Sequence, residues 1–397
     1  MSRRAALAPA LVGILLLASP GHAAVGATSG TVATRSALVQ SRLVDRHGHP
    51  LDGRGVTIAV IDTGIDPTHP AFALPGGGTK VVRSLTAVGC VAGQATSENL
   101  GCVTDLPTTV SSDAVHGGHG TFVGSVAVGN PYRLPDGTRV GGQAPGARLV
   151  MISTTTALQG LYDAFGWVLA HHRQPCGPNV PATTCPPIRV LSLSWGANDP
   201  VLTGLQHQLV AEGVVVAWAS GNGGGDGSTD VSNAIASSDS TPGVLDVAGY
   251  DDLGTGTQNG HVDPASSRGQ ASRPSTWPDI GAPSVDVVGA CRAYQAVCDA
   301  VGTNPQNGPN ATDLATYFTG SGTSWATPAV AGVVALLLQL RPDATPAQVD
   351  DVLKRTAHRY RSGAPYSRVG RYLSSFDKGA GLVDAWAASL AFGARVR

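Results

Sequence analysis

The chain has 397 residues, a formal net charge of −1 and only 13% charged residues. It is long enough to bury a large core and suits one big α/β domain or two modest ones, the first being favoured. It carries no strong field to hold nucleic acid or an anionic membrane, which argues against a polyanionic partner.

In chain order, the opening "MSRRAALAPALVGILLLASPGHAAV" sets Arg3 and Arg4 before an apolar stretch that closes at Pro20 and the small-residue site Gly21-His22-Ala23. That is the layout of a secretory signal peptide and predicts cleavage near Ala23, hence a secreted, extracellular product. The stretch contains Pro9 and Gly13 and is too short to span a bilayer. Residues 1–23 are therefore read as a signal peptide, 24–50 as a short N-terminal segment and 51–397 as a single folded domain. From Gly53 onward the runs 55–62, 147–153, 188–195, 213–220 and 243–250 are apolar, rich in Val and Ile and bounded by Gly or Pro, as strands buried on both faces are. Between them, 156–172 places Leu158, Leu161, Phe165, Val168 and Leu169 near helical spacing, and 202–213 ends on a glycine suited to a helix C-terminus. Strand and helix in alternation predict an α/β fold with a doubly wound, mostly parallel sheet and helices on both faces.

Further on, "AVAGVVALLLQL" (329–340) is too short to span a membrane and reads as a buried core helix, with Pro328 tolerated in its first turn. Thr345, Pro346 and Gln348 make a capping box for the next helix, whose buried stripe is Val349, Val352 and Leu353. The stretches 73–113, 223–242, 251–278 and 291–316 are rich in Gly, Ser, Thr, Asn and Pro and read as surface insertions. Six cysteines fall as Cys90 and Cys102, Cys176 and Cys185, and Cys291 and Cys298. In an exported chain they suggest disulfides, with proximity favouring nearest neighbours, and none has the C-x-x-C spacing of zinc or redox sites.

Ligands of open α/β sheets bind beyond the carboxyl ends of the strands. "AVIDTGID" delivers Asp62 to such an end, although an isolated Asp there also suits a turn that it bonds itself. "HGGHGTFVGSVA" places His119 after two glycines and before a helix of small residues; His116 competes for its role, but Gly120-Thr121 follow only His119. "WASGNGG" ends a strand on Asn222, in a dipeptide that is also a hairpin signal. In "GTSWATP", Ser324 is either a helix cap or a nucleophile.

Asp62, His119 and Ser324 stand in the chain order of the subtilisin-type triad. The chain resembles the subtilisin-like serine peptidases, or subtilases. "VIDTGID" resembles the family's Asp motif, "HGGHGTFVGS" its His motif, "ASGN" its oxyanion Asn motif and "GTSWATPAVAG" its Ser motif; "GAGLVDAWAA" (379–388) resembles the segment that closes the catalytic domain. The resemblance implies a secreted, monomeric serine endopeptidase that acts through an acyl-enzyme, with Asp62, His119 and Ser324 catalytic and Asn222 serving the oxyanion. It implies an extended peptide or protein substrate bound along Ser194, Trp195 and Gly196. The pocket for the residue before the scissile bond would be walled by those three and by Ala219, Ser220 and Gly221. No cofactor is required for such chemistry, and no membrane or nucleic acid partner follows. The rival readings are a narrow-specificity processing peptidase and a protease-shaped binding protein without turnover.

Three departures stand out. The loop after Asn222 lacks the family's usual proline and leaves the pocket floor unassigned; Asp226, Asp230 and Asp239 are either selectors of a basic substrate residue or solvated loop acids. Residues 131–136 occupy a region where relatives bind calcium but bring no carboxylate cluster, which keeps a structural calcium open. Residues 24–50 are too few for the family's folding pro-domain.

Overall fold

The computed structural model describes residues 30–87, 102–113, 117–134, 137–154, 158–232, 235–292, 295–299 and 316–397. The signal-peptide reading, Cys90 and His116 fall outside the described residues. Nine strands form the central sheet: β1 (Thr57–Asp62), β2 (Val81–Ala87), β3 (Val103–Leu106), β4 (Arg148–Thr154), β5 (Ile188–Leu193), β6 (Val215–Ala219), β7 (Val244–Asp251), β8 (His261–Val262) and β9 (Ile280–Pro283). Their order is β8-β7-β6-β5-β1-β4-β2-β3, with β9 also paired to β7. Only β3 on β2 and β8 on β7 run antiparallel; the remaining pairs are parallel, as the alternation of strand and helix required. A separate antiparallel pair, β10 (Val287–Ala290) and β11 (Tyr317–Gly320), leads into the last third of the chain.

Apart from a single turn at Ala296–Asp299, the α-helices of the described residues are α1 (Ser36–Arg42), α2 (His119–Val128), α3 (Leu158–His171), α4 (Pro200–Ala211), α5 (Thr323–Leu340), α6 (Pro346–Thr356) and α7 (Ala385–Ala391). Side chains alternate across each strand, and the two faces of the sheet accordingly build two cores. Ile58, Val60, Leu149, Met151, Val215 and Ala217 pack with α2 and α5. Ala59, Ile61, Val150, Ile152, Val216 and Trp218 pack with α3 and α4. Every residue of α5 except Ser324 is buried, so this apolar rod is a core helix. The capping box of α6 is formed as its sequence predicts, with Thr345 N–H donating to Gln348 Oε1 at 2.9 Å and Gln348 N–H to Thr345 Oγ1 at 3.3 Å.

Three expectations need correction. The stretch 73–113 is not an insertion throughout, because it contains β2 and β3. Arg83 interrupts the apolar pattern of β2 yet is satisfied by Asp105 and the Pro175 carbonyl. The stretch 251–278 likewise contains β8. Pro328 lies in the second turn of α5 rather than the first, so it withholds the amide hydrogen that Ser324 C=O, four residues back, would accept. That carbonyl accepts the Ser194 hydroxyl instead, at 2.8 Å.

Candidate active site

The chain leaves β1 toward β2 on one side and returns from β4 to β5 on the other, which makes the carboxyl ends of β1 and β5 the topological switch point. Asp62 ends β1 on the face it shares with Ile58 and Val60, the face covered by α2 and α5. Gly120 allows α2 to start directly over the turn after β1: a Cβ there would lie 2.1 Å from Gly64 O. Gly120 N–H donates to Thr63 Oγ1 at 2.8 Å. The result is a 2.8 Å hydrogen bond between His119 Nδ1 and Asp62 Oδ1. Asp62 is fully buried, whereas the His119 side chain keeps 15% exposure. Oδ1 also accepts Thr63 N–H at 2.7 Å.

A second buried carboxylate, Asp113, stands beneath this pair. It accepts Thr63 Oγ1–H at 2.8 Å, Gly118 N–H at 3.2 Å, and both Thr121 N–H and Oγ1–H, at 2.9 and 2.6 Å. Burial, the largest influence, lifts the Asp113 carboxyl above its usual range against those bonds, with the Asp62 charge adding to the rise. At His119, burial opposes the charged form, but the Asp62 carboxylate, its hydrogen bond and the Asp113 charge together prevail and raise the imidazole above its ordinary value.

From the other side, Gly322 is the N-cap of α5 and no side chain caps it, so Ser324 is not a helix cap. Ser324 Oγ lies 3.5 Å from Ser194 O. Asn222 is held by its carbonyl end: Oδ1 accepts Thr323 N–H at 2.9 Å and Thr323 Oγ1–H at 3.0 Å, while Thr323 Oγ1 accepts Gly221 N–H at 3.2 Å. The amide nitrogen is thereby turned away from Thr323. Of the expected pocket residues, Ser194 is buried and Gly196 exposed, and Trp195 is half-buried with its indole N–H on Ile61 O at 2.7 Å. Ala219 and Ser220 are buried at the end of β6, where Ser220 O accepts the Ser232 hydroxyl at 2.9 Å. Asp239 is engaged by Gln206 and His207; Asp226 and Asp230 each accept an N–H within their own loop.

Cys176–Cys185 and Cys291–Cys298 are disulfides, with Cα separations of 6.1 and 6.0 Å. Cys102 is disulfide-bonded too, but its expected partner Cys90 lies outside the described residues. The loop closed by Cys291 and Cys298, read as part of a surface insertion, reaches the site. Val297 N–H donates to Gly117 O at 2.7 Å, and Arg292 Nε pairs with the buried Asp66 at 2.7 Å. Sequence reasoning missed this loop, Thr323 and Asp113. Thr323 sat inside a quoted motif, whereas Asp113 closed a polar loop and gave no signal.

No group of three or more His, Cys, Asp or Glu suited to a metal occurs among the described residues. Next to the segment where the resemblance would allow calcium, the buried Lys80 Nζ donates to Val128 O at 2.8 Å and to Asn130 Oδ1 and Pro145 O, both at 2.5 Å, and burial pulls its pKa down to about 7.

The sequence profile of the Subtilase family matches residues 53–381. Serine protease AprX of Bacillus subtilis (strain 168) is 28% identical over 347 residues, covering 84% of this chain and 68% of the relative. Subtilisin of Bacillus pumilus is 27% identical over 345 residues, 86% of this chain and 94% of the relative. The crystal structure of fervidolysin from Fervidobacterium pennivorans, a keratinolytic enzyme related to subtilisin, superposes with a TM-score of 0.58 at 26% identity, over 85% of this chain and 42% of that one. With the family profile spanning most of its length and the subtilisin-like sheet beneath the site, the chain belongs to the subtilase family and is a serine-type endopeptidase.

Proposed function

We propose that the chain is an exported endopeptidase that cuts extended peptides with Ser324 as nucleophile, His119 as general base and acid, Asp62 as its orienting carboxylate and Asn222 as an oxyanion donor. The observation that carries this reading is the 2.8 Å bond from His119 Nδ1 to the buried Asp62, set at the switch point against Trp325, the residue after Ser324. As Ser324 Oγ bonds to the scissile carbonyl carbon, its proton passes to His119 Nε2 and the carbonyl electron pair moves onto oxygen. Asn222 Nδ2 and the Ser324 backbone N–H, at the N-terminus of α5, donate to that oxygen. Collapse breaks the C–N bond, and the leaving amine takes the Nε2 proton. Water then attacks the acyl carbon, gives a proton to His119, and the C–Oγ bond breaks with return of the proton to Ser324.

The substrate backbone lies along Ser194–Gly196, and its side chain before the scissile bond enters between that segment and Ala219–Gly221. This chemistry needs no cofactor. The two described disulfides support export into an oxidising compartment. Fluorophosphonate labelling and hydrolysis of fluorescein-casein by wild type, both abolished in a folded Ser324→Ala variant, are the expected results. Labelling that survives the substitution would assign the nucleophile elsewhere.

A further inference from the structure

The His119 imidazole does not stand free above its hydrogen bond. One face rests on the indole of Trp325, the residue after Ser324, with ring centroids 4.9 Å apart and 36° between the planes. The indole lies in turn against Phe122, at 3.8 Å and 32°, one helical turn beyond His119 on α2. Gly289 of β10 makes room behind this stack, since a Cβ at that position would come within 2.3 Å of a Phe122 ring carbon. Trp325 is 2% exposed, and its Nε1 has no hydrogen-bond partner among the described residues. A buried indole usually finds an acceptor, and one left without it is destabilised. A leucine or phenylalanine would fill apolar space with no such penalty, so the indole calls for a reason other than filling.

We propose that Trp325 is a positioning residue for the proteolytic reaction: its π face fixes the plane of His119 and stabilises the imidazolium that forms when Ser324 gives up its proton. The inference rests on the serine-peptidase reading of the site. Asp62 meets the ring edge-on at Nδ1, which fixes one direction but leaves rotation about that bond open. The indole closes one side, and Nε2 remains the free edge. An aromatic face attracts a cation more than a neutral ring, so the contact strengthens as the proton arrives and acts on kcat rather than on substrate binding. The other charges bearing on His119 are Asp62 and Asp113. The start of α5 brings only Ser324 and Trp325, and the 291–298 loop brings neutral Gln295 and Arg292, which is committed to Asp66.

The test compares Trp325→Leu with Trp325→Phe in the full chain, on a fluorogenic peptide chosen from casein cleavage sites. Rates are expressed per fluorophosphonate-labelled site, so that only folded enzyme is counted. For Trp325→Leu, kcat should fall about five- to tenfold with KM within about twofold. The acid limb of the rate profile should move down by about half a pH unit or more, because the charged imidazole has lost a partner. Trp325→Phe should retain the acid limb and most of kcat. If the leucine and phenylalanine variants share one acid limb, Trp325 is a packing residue and the proposal is overturned, whatever their rates. A wild type that neither labels nor hydrolyses casein would instead overturn the serine-peptidase reading beneath it.

Discussion

Asn222 shows how much of the site depends on single side chains held from behind. Thr323 fixes its carbonyl end through two hydrogen bonds, so the amide nitrogen is aimed without help from substrate. If Asn222 donates to the oxyanion as proposed, the charge it serves exists mainly in the transition state, and Asn222→Ala should lower kcat by about 10²–10³ with little change in KM; steady-state kinetics that leave kcat intact would reduce Asn222 to a turn residue. On the proposed mechanism, His119 sets the pH dependence. Only the neutral ring can act as base, and Asp62 and Asp113 outweigh burial to raise its pKa, so protonation begins at higher pH than for an ordinary histidine. Activity should therefore fall as pH drops below about 7, and a kcat/KM profile that is flat from about pH 5 to 9 would remove His119 from the mechanism. The four residues proposed to carry the chemistry stood out in the sequence because each sits among small residues at the end of a strand or the start of a helix. Thr63 and Asp113 were not, since their role is to hold backbone N–H groups at the start of α2, and a Thr or Asp in a turn carries no mark of what it will face.

At the scale of elements, the 291–298 disulfide loop acts as a brace for α2. Its Val297 N–H holds Gly117 O just before His119, and its Arg292 holds Asp66 just after the β1 turn. Removing it through Cys291→Ser with Cys298→Ser should lower kcat at least about tenfold through misplacement of His119. The Cys176–Cys185 bridge closes a similarly short loop, with separations of 9 and 7 residues for the two bridges, at the amino ends of β1 and β2, so Cys176→Ser with Cys185→Ser should cost stability alone. Equal effects of the two pairs on kcat, measured per labelled site, would deny the brace. Lys80 acts on another element junction, joining Val128 at the end of α2 to Pro145 before β4. Lys80→Met leaves those oxygens without a donor and should lower stability by about 2–4 kcal/mol, read as a denaturant midpoint. Long apolar elements such as β1, β6 and α5 were plain in the sequence, whereas β2 was hidden because Arg83 breaks its pattern and finds its partners far away, at Asp105 and Pro175. Pro328 was placed one turn early because the helix start is fixed by Gly322 and not by the proline.

Over the whole molecule, strand parity does the positioning: the face that sends Ile58 and Val60 into one core also sends Asp62 toward α2 and α5, so a one-residue slip of β1 would turn the carboxylate away. That architecture followed from the alternation of strands and helices. What the sequence concealed is how residues 43 and 44 meet the C-terminal strand. Residues 43 and 44 pair with 396 and 395, contacts made by short segments across nearly the full chain, for which no local pattern exists. The segment ahead of residue 51 is part of the same core: Val39 and Leu43 are fully buried, Thr34 and Ser36 donate their hydroxyls to Gln143 Oε1 at 2.7 and 2.5 Å, and Arg35 pairs with Asp384 beside α7. A chain begun at residue 51 would expose the surface that covers Val39 and Leu43, at about 1.5–3 kcal/mol for each side chain, and would leave the buried Gln143 carbonyl without those donors, at about 1–3 kcal/mol more. Against a domain stability of about 5–15 kcal/mol, that loss should lower the thermal midpoint clearly, and much of the chain should fail to give labelled active sites at 37 °C. A chain begun at residue 24 and refolded under oxidising conditions should reach the full count of fluorophosphonate-labelled sites without a separately added pro-domain. Equal midpoints for the two chains would show that residues 30–50 only decorate the domain, and active sites that appear only with an added pro-domain would show that this clasp cannot replace a folding template.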